Sequence, residues 1–311
     1  MPSKPFQNTP GQWVKKGLVI HVKGQRNWML SHAMVPSILM KDKGVCRVYF
    51  SSRDSENRSR IGYADVDLKK DARILKVADQ PVLDLGELGC FDDNGVTPSW
   101  LVVDGKRIYM YYIGWNKRST VRMSLASGLA ISDDGGETFR RVLRVPVLDR
   151  TDREPFLLNT GPCVVKQGAR WRMWYVSGIR WDNPDLPVYN VKYAESLDGV
   201  HWDRGGHVCI DFQNKQEHAL ARPCVVQEDN KYKMWYSYKG ADYRVGYAES
   251  TDGLSWVRMD DQAGISVSPG DFDSQMIEYA YVLNYGGIKY MFYNGNDYGK
   301  EGIGLATMEG K

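Results

Sequence analysis

The sequence predicts an all-β fold, a five-bladed β-propeller, and three observations lead there. The first is an internal repeat, since Pro36, Pro98, Pro162, Pro223 and Ala280 stand at equivalent places, at steps of 62, 64, 61 and 57 residues. The second is that each unit repeats one order of segments: a short apolar strand, a turn, an aromatic-alternating strand, then a third strand such as "IGYAD", "VKYAES" or "VGYAES". Apolar alternation with period 2, rich in Val, Tyr and Trp and bounded by turn residues, is the signature of antiparallel strands. The third is that no stretch carries the 3.6-residue period of a long helix. Units of about 60 residues that cannot bury their faces alone stack on their neighbours, and four strands per unit make a propeller blade.

The turns between first and second strands read "KDKG", "VDGK", "KQGA", "QEDN" and "NYGG", and the second strands include "YKMWYS" and "KYMFYN". Between third and fourth strands the chain repeats itself, as "AESLDGVHWDR" at 194–204 and "AESTDGLSWVR" at 248–258, with "SDDGGETF" at 132–139 as a third copy. Ser, Asp and Glu stand close together here, yet turn chemistry accounts for them. Gly supplies a positive φ, and the Ser and Asp side chains accept from nearby backbone N–H groups. The Trp that follows is expected to pack between blades. The last unit ends at "GIGLATMEGK" without a fourth strand, whereas "QWVKKG" near the start aligns Trp13 and Lys15 with Trp256 and Arg258. The N-terminal strand is therefore expected to complete the last blade and remove an open sheet edge. The expected blades span 30–80, 92–145, 158–208, 218–262, and 276–307 with 12–19, in one domain over 1–311.

With 41 basic and 38 acidic residues and a net charge of +3, the chain lacks the basic, aromatic-interleaved surface of a nucleic-acid binder. No apolar run approaches the ~18 residues needed to span a bilayer, and the polar start "MPSKPFQNTPGQW" has no secretory h-region. Cys46, Cys90, Cys163, Cys209 and Cys224 are scattered, odd in number and never spaced C-x-x-C. They read as thiols of a reducing compartment, so a cytoplasmic location without membrane attachment is expected. No His/Cys/Asp spacing argues for a metal, and no cofactor is expected.

The start of each first strand and the end of each second strand fall on one face, and there the units diverge. That face receives His32, Arg53 and Asp54 from the first unit, then Asp92, Asp93, Asn94, Trp115 and Asn116 from the second. The third gives Glu154, Asn159, Thr160, Arg180, Trp181 and Asp182; the fourth Glu217, His218, Arg222 and Lys239; the fifth Glu278, Asn294, Asn296 and Asp297. Polar divergence on a repeated scaffold marks a ligand site. Glycoside cleavage needs two carboxyl groups, one protonated as acid and one charged as base or nucleophile. Glu278 and Asp93 are the expected catalytic pair, with Glu217 next. Arg222, Arg53, Arg180 and His218 would hold a phosphate or carboxylate substituent, because guanidinium groups bind these in bidentate fashion. Trp115 and Trp181 would stack on a sugar face.

The five units, the "P-[SC]-[VIL]" first strands and the "Y-x-[YW]-Y" second strands resemble the propellers of the arabinanase/xylosidase and invertase/levansucrase glycoside hydrolases over almost the whole chain. In those enzymes carboxylates precede the Pro markers of the first three blades; the matching residues here are Val35, Thr97 and Thr160. The segments "FDDNGVTPS", "ARPCVV" and "FDSQMIEYAYV" look closer to a group of glycosidase-like propellers encoded beside polysaccharide-biosynthesis genes. The resemblance implies a sugar, nucleotide-sugar or oligosaccharide ligand. The expected function is a glycoside hydrolase-like enzyme on a glycosidic or sugar-phosphate bond. The alternative is a non-catalytic sugar-binding or scaffold propeller of polysaccharide biosynthesis.

Overall fold

The structure, a computed structural model, describes residues 11–24 and 26–309; the first ten residues, part of the polar start, lie outside them. Strands β1 (Val14–His21), β2 (Ser31–Met40), β3 (Val45–Arg53), β4 (Ser59–Asp67) and β5 (Arg73–Val77) come first. Next are β6 (Gly95–Asp104), β7 (Arg107–Lys117), β8 (Met123–Ser132), β9 (Arg140–Arg141), β10 (Leu158–Gln167), β11 (Arg170–Asn183), β12 (Leu186–Ser196) and β13 (Val208–Ile210). The chain ends with β14 (Ala219–Glu228), β15 (Lys231–Lys239), β16 (Tyr243–Ser250), β17 (Val257–Arg258), β18 (Glu278–Tyr285), β19 (Ile288–Asn294) and β20 (Gly302–Glu309). The α-helix among the described residues is one turn, α1 (Asn296–Gly299).

Consecutive strands pair antiparallel within each unit: β2–β3–β4–β5, β6–β7–β8–β9, β10–β11–β12–β13, β14–β15–β16–β17, and β18–β19–β20–β1. Strand β1 pairs with β20, Val14 opposite Thr307 and Ile20 opposite Ile303, which is the partnership expected of the Trp13–Lys15 stretch. In the third unit the fourth strand falls at 208–210 rather than on "HWDR"; Asp203 there exchanges backbone hydrogen bonds with Glu195 of the third strand.

Neighbouring units interlock through the repeated motifs. Phe139 packs on Tyr49, Trp202 on Tyr111, Trp256 on Trp174 and Trp13 on Trp235, each pair with ring centroids 5.6–6.1 Å apart. The aromatic ahead of each fourth-strand basic residue thus covers the second-strand aromatic of the unit before. The innermost strands are also tied in succession. Ser37 Oγ donates to Ser99 O and Ser99 Oγ to Pro162 O, while Cys163 Sγ accepts from Val225 N and Cys224 Sγ from Val282 N. Tyr281 OH then donates to Ile38 O, which links β18 back to β2. The small residue after each Pro, Ser or Cys in four units, thereby gains a structural explanation. The cysteines are free thiols.

The "S-x-D-G" segments are turns. Ser196 Oγ accepts from the backbone N–H groups of Asp198 and Gly199, Asp198 Oδ1 accepts from those of Val200 and His201, and Gly199 has φ 74°. Ser250 and Asp252 repeat the arrangement bond for bond. Asp198→Ala is expected to cost about 1 kcal/mol in chemical denaturation while leaving ligand affinity unchanged; a loss of activity without a loss of stability would give the motif a different role.

Candidate functional site

Each first strand pairs with its second at the end where both approach the centre: Ser31 opposite Arg53, Gly95 opposite Trp115, Asn159 opposite Ser177, Ala219 opposite Lys239, Glu278 opposite Asn294. Just beyond those pairs every first strand carries a register shift. At the shift Val35 (φ 56°), Gly161 (φ 58°), Arg222 (φ 53°) and Tyr279 (φ 56°) adopt the left-handed backbone. That conformation is uncommon for any residue but Gly and is an outlier for a β-branched one. Sites of this kind cluster where function demands a particular side-chain direction. All four residues line one cavity of about 480 Å³.

The cavity wall carries Arg53, Lys117, Arg122, Arg222 and Lys239, and Asp185 is its single acid. Asp185 stands exposed at the tip of the β11–β12 hairpin. Apolar and aromatic surface comes from Met34, Ile113, Trp115, Leu125, Val176 and four tyrosines, Tyr189, Tyr243, Tyr279 and Tyr298. Trp115 Nε1 donates to Thr97 Oγ1 (3.3 Å) and Thr97 Oγ1 to Ser51 Oγ (3.0 Å), which fixes the indole. Tyr189 and Tyr243 share a hydrogen bond of 2.6 Å, and Lys239 Nζ donates to Tyr298 OH (3.2 Å). Val35, Thr97 and Thr160, where the resemblance places carboxylates, all line the cavity.

Of the residues expected at the site, Arg53, Asn94, Trp115, Asn116, Thr160, His218, Arg222 and Lys239 are on this wall. His32 is not, but the charge of Arg53 acts on it: burial first, then Arg53 and Lys300, brings its pKa down to about 4. Burial and Lys239 lower that of His218 as well. Both imidazoles are therefore biased to the neutral form beside cations. Asp93 lies behind Asn116, whose Nδ2 donates to its Oδ1 (2.7 Å).

Three expected site acids face away from the cavity instead. Asp92 accepts from Tyr112 OH (2.9 Å) and Arg141 Nε (2.7 Å), and Glu154 from Tyr175 OH (2.6 Å) and Arg204 Nη1 (2.7 Å). Glu217 is held by both terminal nitrogens of Arg258 at 2.8 and 3.1 Å. In the fifth unit Asp273 receives Lys15 and Tyr293 OH in the same way. Each is a latch in which a cation, on the fourth strand in the second, fourth and fifth units and ahead of it in the third, clamps the loop acid, joined in three of the four by the second-strand tyrosine. The first unit has Phe50 in place of that tyrosine. Loop acids preceding a Pro marker read as site residues, but the buried hydroxyl and cation outward of them take their lone pairs. The cue in the sequence is the basic residue that follows the repeated turn, 49, 50 and 41 positions after Asp92, Glu154 and Glu217. Arg258→Met leaves Glu217 buried without its cation, so a loss of about 3–5 kcal/mol is expected in urea unfolding. Adding Glu217→Gln should recover part of it, and an unchanged denaturation midpoint in Arg258→Met would remove the latch.

The remaining expected residues are also accounted for. Asp54 pairs with Arg58 and Arg60 rather than with Arg53. Arg180 pairs with Asp182 near the exposed end of β11, where Trp181 follows it, and none of these three lines the cavity. Buried Asn294 bonds Val35 N, Ala33 O and Gly302 O, and Asn296 accepts from Gln275 N and Met276 N. Asp297 pairs with Lys300, and Asn159 accepts from Ser177 Oγ. Lys117, Arg122 and the four tyrosines were missed; the basic loop "NKRSTVR" that follows the second unit's aromatic strand held a signal for the first two.

Glu278 stands apart. It is fully buried, neither carboxyl oxygen has a hydrogen-bond partner among the described residues, and burial pushes its pKa well above the usual range against a lesser opposing pull from Lys239. It directly precedes Tyr279 of the cavity wall in the chain and acts electrostatically on Tyr189, Tyr243 and Tyr279, but it is not itself among the residues that line the cavity. Among the described residues no group of three or more His, Cys, Asp or Glu is arranged to hold a metal, and no helix is long and apolar enough to cross a membrane.

No protein-family model matches the chain. Two proteins of Mycobacterium tuberculosis, described as "Uncharacterized protein MT1551" (strain CDC 1551 / Oshkosh) and "Uncharacterized protein Rv1502" (strain ATCC 25618 / H37Rv), are each 40% identical to it over 298 residues, covering 96% of this chain and 99% of theirs. Among solved structures, one described as "Glycoside hydrolase" superposes with a TM-score of 0.74 at 20% identity, covering 96% of this chain and 92% of its own. A thermostable family-43 glycoside hydrolase gives 0.64 at 16%, with coverages of 90% and 89%. A structure described under "The GH130 family of mannoside phosphorylases contains glycoside hydrolases that target beta-1,2 mannosidic linkages in Candida mannan" gives 0.72 at 15%, with coverages of 98% and 95%. These likenesses show the fold, which the chain shares with these glycoside-hydrolase structures.

Proposed function

This chain belongs to the family of the Mycobacterium tuberculosis proteins MT1551 and Rv1502, and from that premise we propose that it is a glycoside hydrolase-like, carbohydrate-active enzyme. The observation that carries the reading is the cavity where the divergent ends of the units meet, with the buried Glu278, whose pKa burial raises, next in the chain to Tyr279 of its aromatic wall. Trp115 and the tyrosines offer flat apolar faces to a sugar ring, and the polar groups between them fix its orientation. We read the architecture as one domain of five blades, with β1 completing the last.

A general acid must hold its proton at the working pH and release it to the leaving oxygen. Glu278 meets the first condition through burial alone and is the proposed acid. Asp93, reached through Asn116, is the proposed charged partner, because the carboxylate of Glu217 is already taken by Arg258. The substrate is a sugar, oligosaccharide or nucleotide-sugar, and a cytoplasmic role in polysaccharide biosynthesis goes with this reading. One observation favours the alternative of a non-catalytic sugar-binding protein: Val35, Thr97 and Thr160 leave the cavity wall without a carboxylate apart from Asp185.

The deciding experiment incubates the protein with a panel of glycosides and nucleotide-sugars, β-1,2-linked mannosides first because of the GH130 neighbour. Products are analysed alongside calorimetric binding of the same compounds. Turnover that Glu278→Gln removes supports the enzyme; binding without product over days supports the binding protein.

A further inference from the structure

All five units contribute to the rim of the cavity. Each sends the connection between its second and third strands there, and a residue in or at the foot of each connection lines the cavity: Asn57, Arg122, Asp185, Lys239 and Tyr298. At this end of the strands every junction between units is bridged. Ser59 pairs with Gly95, Pro184 O accepts from Arg122 N (2.9 Å), and the hydroxyls of Tyr189 and Tyr243 share their hydrogen bond. Lys239 Nζ donates to Tyr298 OH, and Asn294 Oδ1 accepts from Val35 N (2.8 Å).

One connection reaches much further than the rest. Strand β11 runs on through residues 178–183, beyond the Ser177 that pairs with Asn159. At about 3.3 Å per residue that is about 20 Å of extended chain. The second strands β3, β15 and β19 stop at the corresponding residue, and β7 ends at Lys117, just past it. Directed straight outward, such a hairpin would carry its tip away from the centre. Register shifts between Gly178 and Arg180 and between Trp181 and Asn183 interrupt it instead, and bulges of this kind bend a strand. The tip thereby sets Asp185, Leu186 and Pro187 on the cavity wall and meets the second unit at Arg122.

We infer that the tip of the β11–β12 hairpin is a barrier that restricts the cavity to the end of a glycan, or to a small glycoside, and excludes the interior of a chain. A sugar inside a chain has a neighbour on each side and needs two exits, whereas a terminal sugar needs one. A rim bonded from unit to unit around a cavity of about 480 Å³, the size of a small-molecule pocket, leaves the mouth as that exit. The inference names the ligand class of the same cavity. It rests on the reading that the cavity takes a sugar, and not on its being catalytic.

The test variant replaces residues 181–187 by Asn-Gly, a two-residue turn that closes the pair of Arg180 and Val188. A thiol arm works without a ligand. Buried Ile113 of the cavity wall is changed to Cys, and the half-buried Cys90 to Ser, in both the intact and the shortened protein. The probes are N-ethylmaleimide and a maleimide fixed by a short linker to the middle of a dextran chain. N-ethylmaleimide is expected to label both proteins, and the dextran reagent only the shortened one. Equal dextran labelling of the two, relative to N-ethylmaleimide, overturns the barrier.

A glycan arm uses calorimetry and product analysis with β-1,2-mannotetraose, free and blocked at both ends by bulky aryl groups. The intact protein should bind the blocked form at least roughly 10-fold more weakly, about 1.4 kcal/mol, and the shortened protein should bind both alike. This comparison on the intact protein needs no variant to fold. Equal binding of the free and blocked forms by the intact protein, or cleavage of an internal bond, overturns the barrier and leaves the sugar reading standing. Binding of neither form counts against the sugar reading, and the thiol arm then decides the barrier by itself.

Discussion

Glu278→Gln, the variant that removes the proposed general acid, is expected to lower turnover of whichever glycoside the substrate panel identifies by roughly 10²- to 10⁴-fold, with the fold and ligand affinity retained. Gln keeps the volume of the protonated carboxyl, so a buried site without hydrogen-bond partners loses no contact. The same substitution carries a pH signature. In the unfolded chain a Glu ionises near pH 4.3, whereas in the folded protein burial raises its pKa well above that. Between the two values the unfolded state has released a proton that the folded state keeps. Glu278 therefore subtracts stability as pH rises above about 4, by about 1.4 kcal/mol per pH unit until the folded pKa is reached. The Tm of Glu278→Gln should match the parent near pH 4 and exceed it progressively toward pH 7. A difference that stays flat with pH would mean an ionised Glu278 in the folded protein, and parental turnover would move the acid elsewhere.

Removal of residues 1–20 lowers Tm by on the order of 10 °C or more. Three losses combine. Trp13, 7% exposed, leaves its packing against Trp235 and its hydrogen bond to Ala263 O. Buried Asp273 loses Lys15 and is left as an uncompensated charge, a change that by itself costs about 3–5 kcal/mol. Strand β20 becomes an open edge, which invites pairing with another chain. Thermal melts followed by light scattering should show an earlier transition and aggregation, and the double variant Trp13→Ala/Lys15→Met should reproduce most of the Tm loss. A truncated protein that melts with the full chain would leave β1 without a stabilising role.

The pairing of β1 with β20 joins residues as far apart as Val14 and Thr307 and was still legible, because Trp13 and Lys15 repeat the chemistry of Trp256 and Arg258. The units, their second-strand aromatics and the Ser-Asp-Gly turns were legible for the same reason. Periodicity and turn chemistry act over a few residues, and repetition states them several times. The direction of side chains near the axis was not legible. A one-residue slip of register moves a side chain to the opposite face of a strand, and the bulges at or beside the marker positions make such slips. Asp92, Glu154 and Glu217 stand where site acids are expected, but tyrosine and cation partners 20 to 50 positions away turn them outward. Arg222 and Thr160 line the cavity with Arg222 Nε and Nη1 and Thr160 Oγ1 unpartnered among the described residues, and Glu278 is fully buried, where ionisation is disfavoured. Repetition in the chain records the scaffold and the face on which the units diverge. Which acids are held as latches, and which carboxyl is buried without a hydrogen-bond partner among the described residues, depends on packing between strands 20 to 50 residues apart, which no local pattern records.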